Sequence, residues 1–412
     1  MFKKCFIFFL FLSASVFSFA QKKNLGYFID SATINSPLLN DFRNQILSNR
    51  IDSQILVAAN GIQVNANGNS FYAPVFNGWG YDAAITNGGQ LQGLITASKN
   101  ILSQKFLNYQ FKNLQLVGDS LNVAAKISEQ DLRKTIVAQY ITTYGDQLQM
   151  DFNNQLINLL SREEIILKRL TEKNVYKQVD YLSFLVTYQQ QNLTRQQLES
   201  QYKNDYATLN YLAGLFDTTA TPLAEPDLKV IKFFIPDSSI YFLKYRVDSL
   251  RFINNKFLVD LNYRPRITAY ADAGYQSSFM ETPYKNFGRS FGVNFIIPIY
   301  DGYQRKLQYS KIAIGERTRL RNREFFQNQY YQQVAQLQQQ LTAFERLLGP
   351  INTQIKYIET LIDVNGKLLE TGDIKMTDYI LSLNNYIMTK NLVVQNMVAR
   401  FQIINQLNYW KK

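Results

Sequence analysis

Residues 264–302 read RPRITAYADAGYQSSFMETPYKNFGRSFGVNFIIPIYDG, and they carry two runs with a two-residue period. In the first, Ile267, Ala269, Ala271, Ala273 and Tyr275 fall on one side, opposite Thr268, Tyr270, Asp272 and Gln276. In the second, Phe291, Val293, Phe295, Ile297 and Ile299 oppose Ser290, Gly292 and Asn294. Successive side chains of a strand point to opposite faces, so the stretch predicts a hairpin of two long strands, each with one apolar face. The polar connection between the runs contains Pro283 and Gly288.

Around this hairpin the chain reads as helix. From about Gln90 to Glu172 there is no proline, and apolar residues recur at spacings of three and four. That pattern predicts a helix of some 80 residues, roughly 120 Å long at 1.5 Å per residue. A second helix is expected from about Val179 to Ala213, and a shorter one from about Ile240 to Leu261. A further rod is expected from about Gln304 to Leu369, kinked or broken at Gly349-Pro350, and a last helix from about Thr377 to Tyr409. Upstream, residues 21–56 read as mostly helical, with Pro37 near a start. A first hairpin is expected at about 57–87, its strands around Ile62–Asn67 and Trp79–Thr86 and its loop at Gly68–Gly78. The Pro-containing stretch 217–238 reads as a linker, with an apolar run at Val230–Ile235.

The order helix, hairpin, rod, turn, helix therefore occurs twice, in residues 21–216 and 239–412. Identity between the halves peaks at the turns. Glu172, Lys177, Asp180, Tyr181, Leu185 and Tyr188 match Glu370, Lys375, Asp378, Tyr379, Leu383 and Tyr386 at one common offset. Asn87-Gly88-Gly89-Gln90 and Asp301-Gly302-Tyr303-Gln304 read as equivalent exits from strand to rod.

Composition narrows the function. There is no histidine, and the single cysteine, Cys5, precedes an apolar run from Phe6 to Val16. Lys3 and Lys4, that run, and Ser18-Phe19-Ala20 together form the pattern of a cleavable signal peptide, residues 1–20. An exported chain without histidine or a mature thiol lacks the commonest general base, nucleophile and metal ligands, so no enzyme, cofactor or metal site is expected. A mean hydropathy of −0.21 excludes a polytopic helical membrane protein. The net charge of +12 is scattered singly along helices, which argues for a solvated surface and against nucleic acid.

Four strands of about ten residues match the height of a tilted outer-membrane strand. Aromatics gather toward the expected loop ends: Phe71, Tyr72, Phe76, Trp79 and Tyr81 in one hairpin, and Tyr275, Phe279, Tyr284, Phe287 and Phe291 in the other. Four strands close no barrel, and lipid tolerates no open edge, so other copies of the chain must complete the wall. Two copies would make a barrel filled by its own side chains, whereas three leave a lumen. The small polar residues Gly61, Asn65, Asn67, Thr268, Gly274, Ser290, Gly292 and Asn294 favour a wet bore and three copies.

The tandem repeat, PRITAYADAGY leading to FGVNFIIPIYDGYQ, and the paired Asp-Tyr-Leu/Ile turns resemble the TolC-type outer-membrane efflux proteins over essentially the whole mature chain. The resemblance implies a mainly α fold with membrane β: a long antiparallel α-helical barrel, plus four strands per chain in a homotrimeric twelve-stranded outer-membrane β-barrel. It further implies a duct that spans the periplasm and docks with a periplasmic adaptor and an inner-membrane pump of the RND, ABC or MFS type. The family places an acidic ring at the periplasmic entrance, and Asp378 occupies that place. The family's frequent second Asp, three residues on, is here Leu381. Asp180 and Asp378 also read as N-caps of the helices that follow. Lys177, Lys375, Tyr181 and Tyr379 are expected to hydrogen-bond between helix pairs at the entrance. Two other classes remain open. An exported structural or adhesive coiled coil should show sustained heptads and no barrel hairpins. A periplasmic adaptor should show one helical hairpin flanked by compact β-domains.

Overall fold

The computed structural model describes residues 23–82, 84, 88–231, 239–278 and 285–411. The expected signal peptide, the aromatics Phe279 and Tyr284, and most of the apolar run 230–235 lie outside these residues. Helices α1 (Leu25–Asn35) and α2 (Pro37–Ala59) lead into strands β1 (Gln63–Tyr72) and β2 (Gly89–Ile101). Then come α3 (Gln104–Glu172), α4 (Gln178–Leu212), α5 (Ile240–Asn262), β3 (Arg266–Ser278), β4 (Phe287–Ile296), α6 (Gln304–Thr371) and α7 (Met376–Trp410). No described helix is long and apolar enough to cross a membrane, a statement that does not bear on strands.

Contacts divide the chain into two compact units, each drawing on both halves of the sequence. One holds the described residues of Met1–Pro37, Ser128–Phe234 and Gln329–Lys412; the other holds those of Leu38–Ile127 and Ile235–Asn328. The second unit contains one antiparallel sheet of order β1-β2-β3-β4, so the two hairpins join through β2 and β3. Directly paired residues share a face, and the register sorts the side chains. On one face stand Val64, Ala66, Ile95, Ala97, Ile267, Ala271, Ala273, Phe291, Val293 and Phe295. On the other stand Asn65, Asn67, Gln92, Thr96, Ser98, Asn100, Thr268, Asp272, Ser290 and Asn294. The polar face is laced across strands: Thr268 Oγ1 donates to Asn100 Oδ1 at 2.8 Å, Ser290 Oγ to Asp272 Oδ1 at 2.7 Å, and Asn67 Nδ2 to Thr96 Oγ1 at 3.3 Å. The charges on the apolar face, Lys99 and Arg289, sit toward strand ends, where long side chains reach polar surroundings.

The second hairpin lies within the expected stretch, although β4 stops at Ile296 and leaves Ile297 and Ile299 outside it; the first hairpin departs further. Its return strand is Gly89–Ile101, α3 starts at Gln104 instead of near Gln90, and of the expected strand 79–86 the described residues 79–82 and 84 are not in it, while 83, 85 and 86 lie outside the described residues. Leu91, Leu94, Ile95 and Ile101 imitate a helical stripe. The competing alternation of Gln90, Gln92, Thr96, Ser98 and Asn100 is interrupted by Leu94, and only pairing with β1 and β3 decides between the two patterns. Gly88-Gly89-Gln90 consequently enters a strand and is no exit to a rod. The true starts of the rods are capped alike. Ser103 Oγ accepts the Phe106 N–H at 3.3 Å, and the Asp301 carboxylate accepts those of Tyr303 and Arg305 at 3.0 and 2.8 Å.

The second rod is not broken at Pro350, because α6 runs through it. Proline removes one helical hydrogen bond. The buried Leu341 and Ile351 hold the helix on either side.

The first unit has two cores. In one, Phe28, Ile136, Tyr140, Tyr206 and Leu209 pack together, and Tyr140 Oη donates to Ala224 O at 2.6 Å, tying down the start of the linker. The other gathers Leu156, Leu160, Leu167, Phe184, Ile362, Leu369, Tyr379 and Leu383 behind the two interhelical turns.

Candidate functional site

Both rods end in the same backbone device. After α3, Asn174 takes φ 60°, the Val175 N–H donates to Leu170 O at 2.9 Å and the Asn174 N–H to Thr171 O at 2.9 Å. After α6, Gly372 takes φ 81°, the Asp373 N–H donates to Leu368 O at 2.9 Å and the Gly372 N–H to Leu369 O at 3.2 Å. These are Schellman closures, which need a left-handed residue that Gly and Asn adopt most cheaply. The following helices begin at Lys177 and Lys375 as N-caps. Asp180 and Asp378 are therefore not N-caps, as the sequence suggested; each sits three residues inside its helix.

From that shared position the two carboxylates diverge. Asp180 is half-buried, and its Oδ2 accepts the Lys177 N–H at 3.2 Å, the return half of a capping box. Asp378 is exposed and makes no side-chain hydrogen bond or ion pair among the described residues. Leu381 stands one helical turn further on, 61% exposed, on the same side of α7. An unpaired carboxylate and a bare leucine thus share a surface beside the second turn.

The expected tyrosine and lysine bonds between helix pairs are not those found. Tyr181 Oη donates to Glu164 Oε1 at 2.6 Å, joining α4 to α3, and this bond pushes the phenol up to about 12. Tyr379 is fully buried, tilted against Phe184 at 6.4 Å between centroids, and its hydroxyl has no hydrogen-bond partner among the described residues; burial raises its pKa. Lys177 and Lys375 are exposed and serve through their backbone. The bond that does link the two turns is Tyr176 Oη to Ile374 O, 2.9 Å. Tyr176 has no identical counterpart in the other turn, so comparison of the repeats passed over it.

Glu163 was also missed. It lies on the stripe Leu156, Leu160, Glu163, Leu167, and with its neighbours on that stripe it is buried at 6% exposure. An acid at core spacing was a signal available from the sequence. Burial, reinforced by the charge of Glu370, pushes its carboxyl up to about 7. Among the described residues no group of acids suits a metal ion.

No family model and no curated protein matches the sequence. Solved structures do. CusC, studied for its folding and transmembrane channel formation, matches at a TM-score of 0.77 and 11% identity, over 94% of this chain and 91% of its own. The outer membrane protein VceC from Vibrio cholerae matches at 0.75 and 10%, over 94% of this chain and 96% of its own. The open state of the Neisseria gonorrhoeae MtrE outer membrane channel matches at 0.72 and 11%, over 94% and 88%. At such identities the likeness is one of fold. With its four-stranded sheet, duplicated helices and paired turns, the chain has the fold of the TolC-type outer-membrane channels.

Proposed function

We propose that the protein is the outer-membrane exit duct of a tripartite efflux or type I secretion system. The observation that carries this reading is the sheet: one face apolar, one face polar and hydrogen-bonded, and β1 and β4 each paired on one side only. An amphipathic sheet with two free edges is stable in lipid only when the edges are closed by further strands. Three copies supply twelve strands, enough to leave a bore lined by the Asn, Gln, Ser and Thr face. The apolar face then meets the lipid of the outer membrane. The aromatics at the loop ends, including Tyr72, Trp79 and Phe287, form the interfacial girdle.

In this reading the turns after α3 and α6 form the periplasmic entrance. Three Asp378 carboxylates around the axis raise the local negative potential and favour cations, while Leu381 narrows the opening with apolar contact. Asp180, Tyr181 and Tyr379 hold the helix pairs in place behind it. A periplasmic adaptor and an inner-membrane pump deliver the cargo, and specificity resides in the pump. The two repeats, 21–216 and 239–412 joined by 217–238, are the unit of construction.

The test is single-channel recording in planar bilayers. The wild type should form cation-selective pores, and Asp378→Ala should lower cation selectivity and alter conductance. Unchanged conductance and selectivity would remove Asp378 from the gate. A chain that migrates as a soluble periplasmic monomer, with no heat-modifiable oligomer on a gel, would overturn the duct itself.

A further inference from the structure

Glu163 of α3 lies at a groove shared with α6 and α7. The residue is more than nine-tenths buried, and Oε2 has no hydrogen-bond partner among the described residues. A side chain on Gly366 would place its Cβ 3.3 Å from Glu163 Oε1, so glycine keeps the space beside the carboxylate open. Two other acids of the groove are already satisfied: Glu359 by Lys390 at 2.6 Å and Asp363 by Lys367 at 2.8 Å. Glu163 and the exposed Glu370 are the acids of the groove left without an ion pair among the described residues, and the charge of Glu370 acts on Glu163. A buried carboxylate without a partner costs several kcal/mol, so the site must take up either a proton or a cation.

The remaining walls indicate which kind of cation. Leu159, Ile362 and the ring of Tyr386 are apolar, and that ring already receives the Lys390 ammonium 5.6 Å from its centroid. A hard divalent ion requires several oxygen ligands converging on one point, and the described acids do not converge. An alkyl chain ending in an ammonium group satisfies both the carboxylates and the apolar walls.

We propose that this groove binds an organic ammonium ion, its charged head on Glu163 and Glu370 and its apolar body against Leu159, Ile362 and Tyr386. The site does not include Asp378 and does not depend on the duct reading. The groups facing Glu163 are Glu359, Asp363, Lys367 and Glu370 from α6, and Tyr379, Tyr386 and Lys390 from α7. With its carboxyl near 7, Glu163 must lose a proton to receive the cation, so affinity should rise about tenfold between pH 6 and pH 8.

Isothermal titration of the full chain in detergent with hexylammonium chloride tests this, with hexanol and Mg²⁺ as comparison titrants. Saturable binding of hexylammonium at pH 8 is expected, about tenfold weaker at pH 6, absent for hexanol, and lost in Glu163→Gln. Glu370→Gln, a surface change that leaves the fold intact, should weaken binding several-fold and decides the matter should Glu163→Gln not fold. Absence of saturable binding, binding unchanged in both variants, or displacement of hexylammonium by stoichiometric Mg²⁺ would each overturn the assignment.

Discussion

Placing arginine at three positions of β4 would separate a lipid-facing wall from a soluble sheet. Phe291 is 90% exposed in the single chain and pairs with Ala271 on the apolar face. It lies four residues from Phe287 and five from Ile296, the ends of the strand. At about 3.4 Å per residue and a tilt of roughly 40°, it stands some 10–13 Å from either end, the middle of an apolar band about 25 Å tall. An arginine at the midplane of such a wall costs about 2–4 kcal/mol, and one at the interface about 0–1. Phe291→Arg should therefore destabilise each chain by about 2–4 kcal/mol, and Phe287→Arg by no more than about 1. Asn294→Arg points to the polar face and should change stability by less than about 0.5 kcal/mol while altering ion selectivity. The assay is urea-induced unfolding from lipid vesicles, read by the heat-modifiable band. Equal costs at Phe291 and Asn294, or at Phe291 and Phe287, would refute the assignment of faces and depth.

Other expectations follow from single contacts. A Cβ at residue 274 would lie 2.1 Å from Gly93 O, a backbone atom of the neighbouring strand, so Gly274→Ala must force β2 and β3 apart. Overpacking together with lost ladder bonds predicts about 3 kcal/mol or more, seen as loss of the folded band in the same gel assay. Tyr140→Phe removes the one O–H donor that lies 2.6 Å from Ala224 O and 3.2 Å from Lys23 O and should cost about 1–3 kcal/mol in chemical unfolding, with faster proteolysis in the linker as a second readout. The Glu163 carboxyl, raised from 4.5 to about 7, binds its proton more tightly folded than unfolded. Its contribution to stability is complete below about pH 4.5 and is lost as pH rises to about 7, a fall of about 3 kcal/mol. Unfolding midpoints measured across this range should flatten in Glu163→Gln, and an unaltered slope would show that another group is responsible.

The sequence alone determined the repeated order of elements, the second hairpin and its two faces, and the place of both turns. Each of these is written in local periodicity or in left-handed positions such as Gly372, which require no distant partner. Even the apolar stripe that buries Glu163 was legible, although its acid went unread. Tertiary structure decided the rest. Whether residues 89–101 form helix or strand depends on pairing with Ile267–Ser278, some 170 residues away, because Leu91 and Ile95 satisfy both periods and Leu94 only the helical one. Whether Pro350 breaks its helix depends on the packing of Leu341 and Ile351. Asp180 and Asp378 share a preceding lysine and a following tyrosine but differ in state. One carboxylate is consumed by the Lys177 N–H and the other makes no side-chain hydrogen bond among the described residues, a difference that the shared Lys-x-x-Asp-Tyr pattern does not encode.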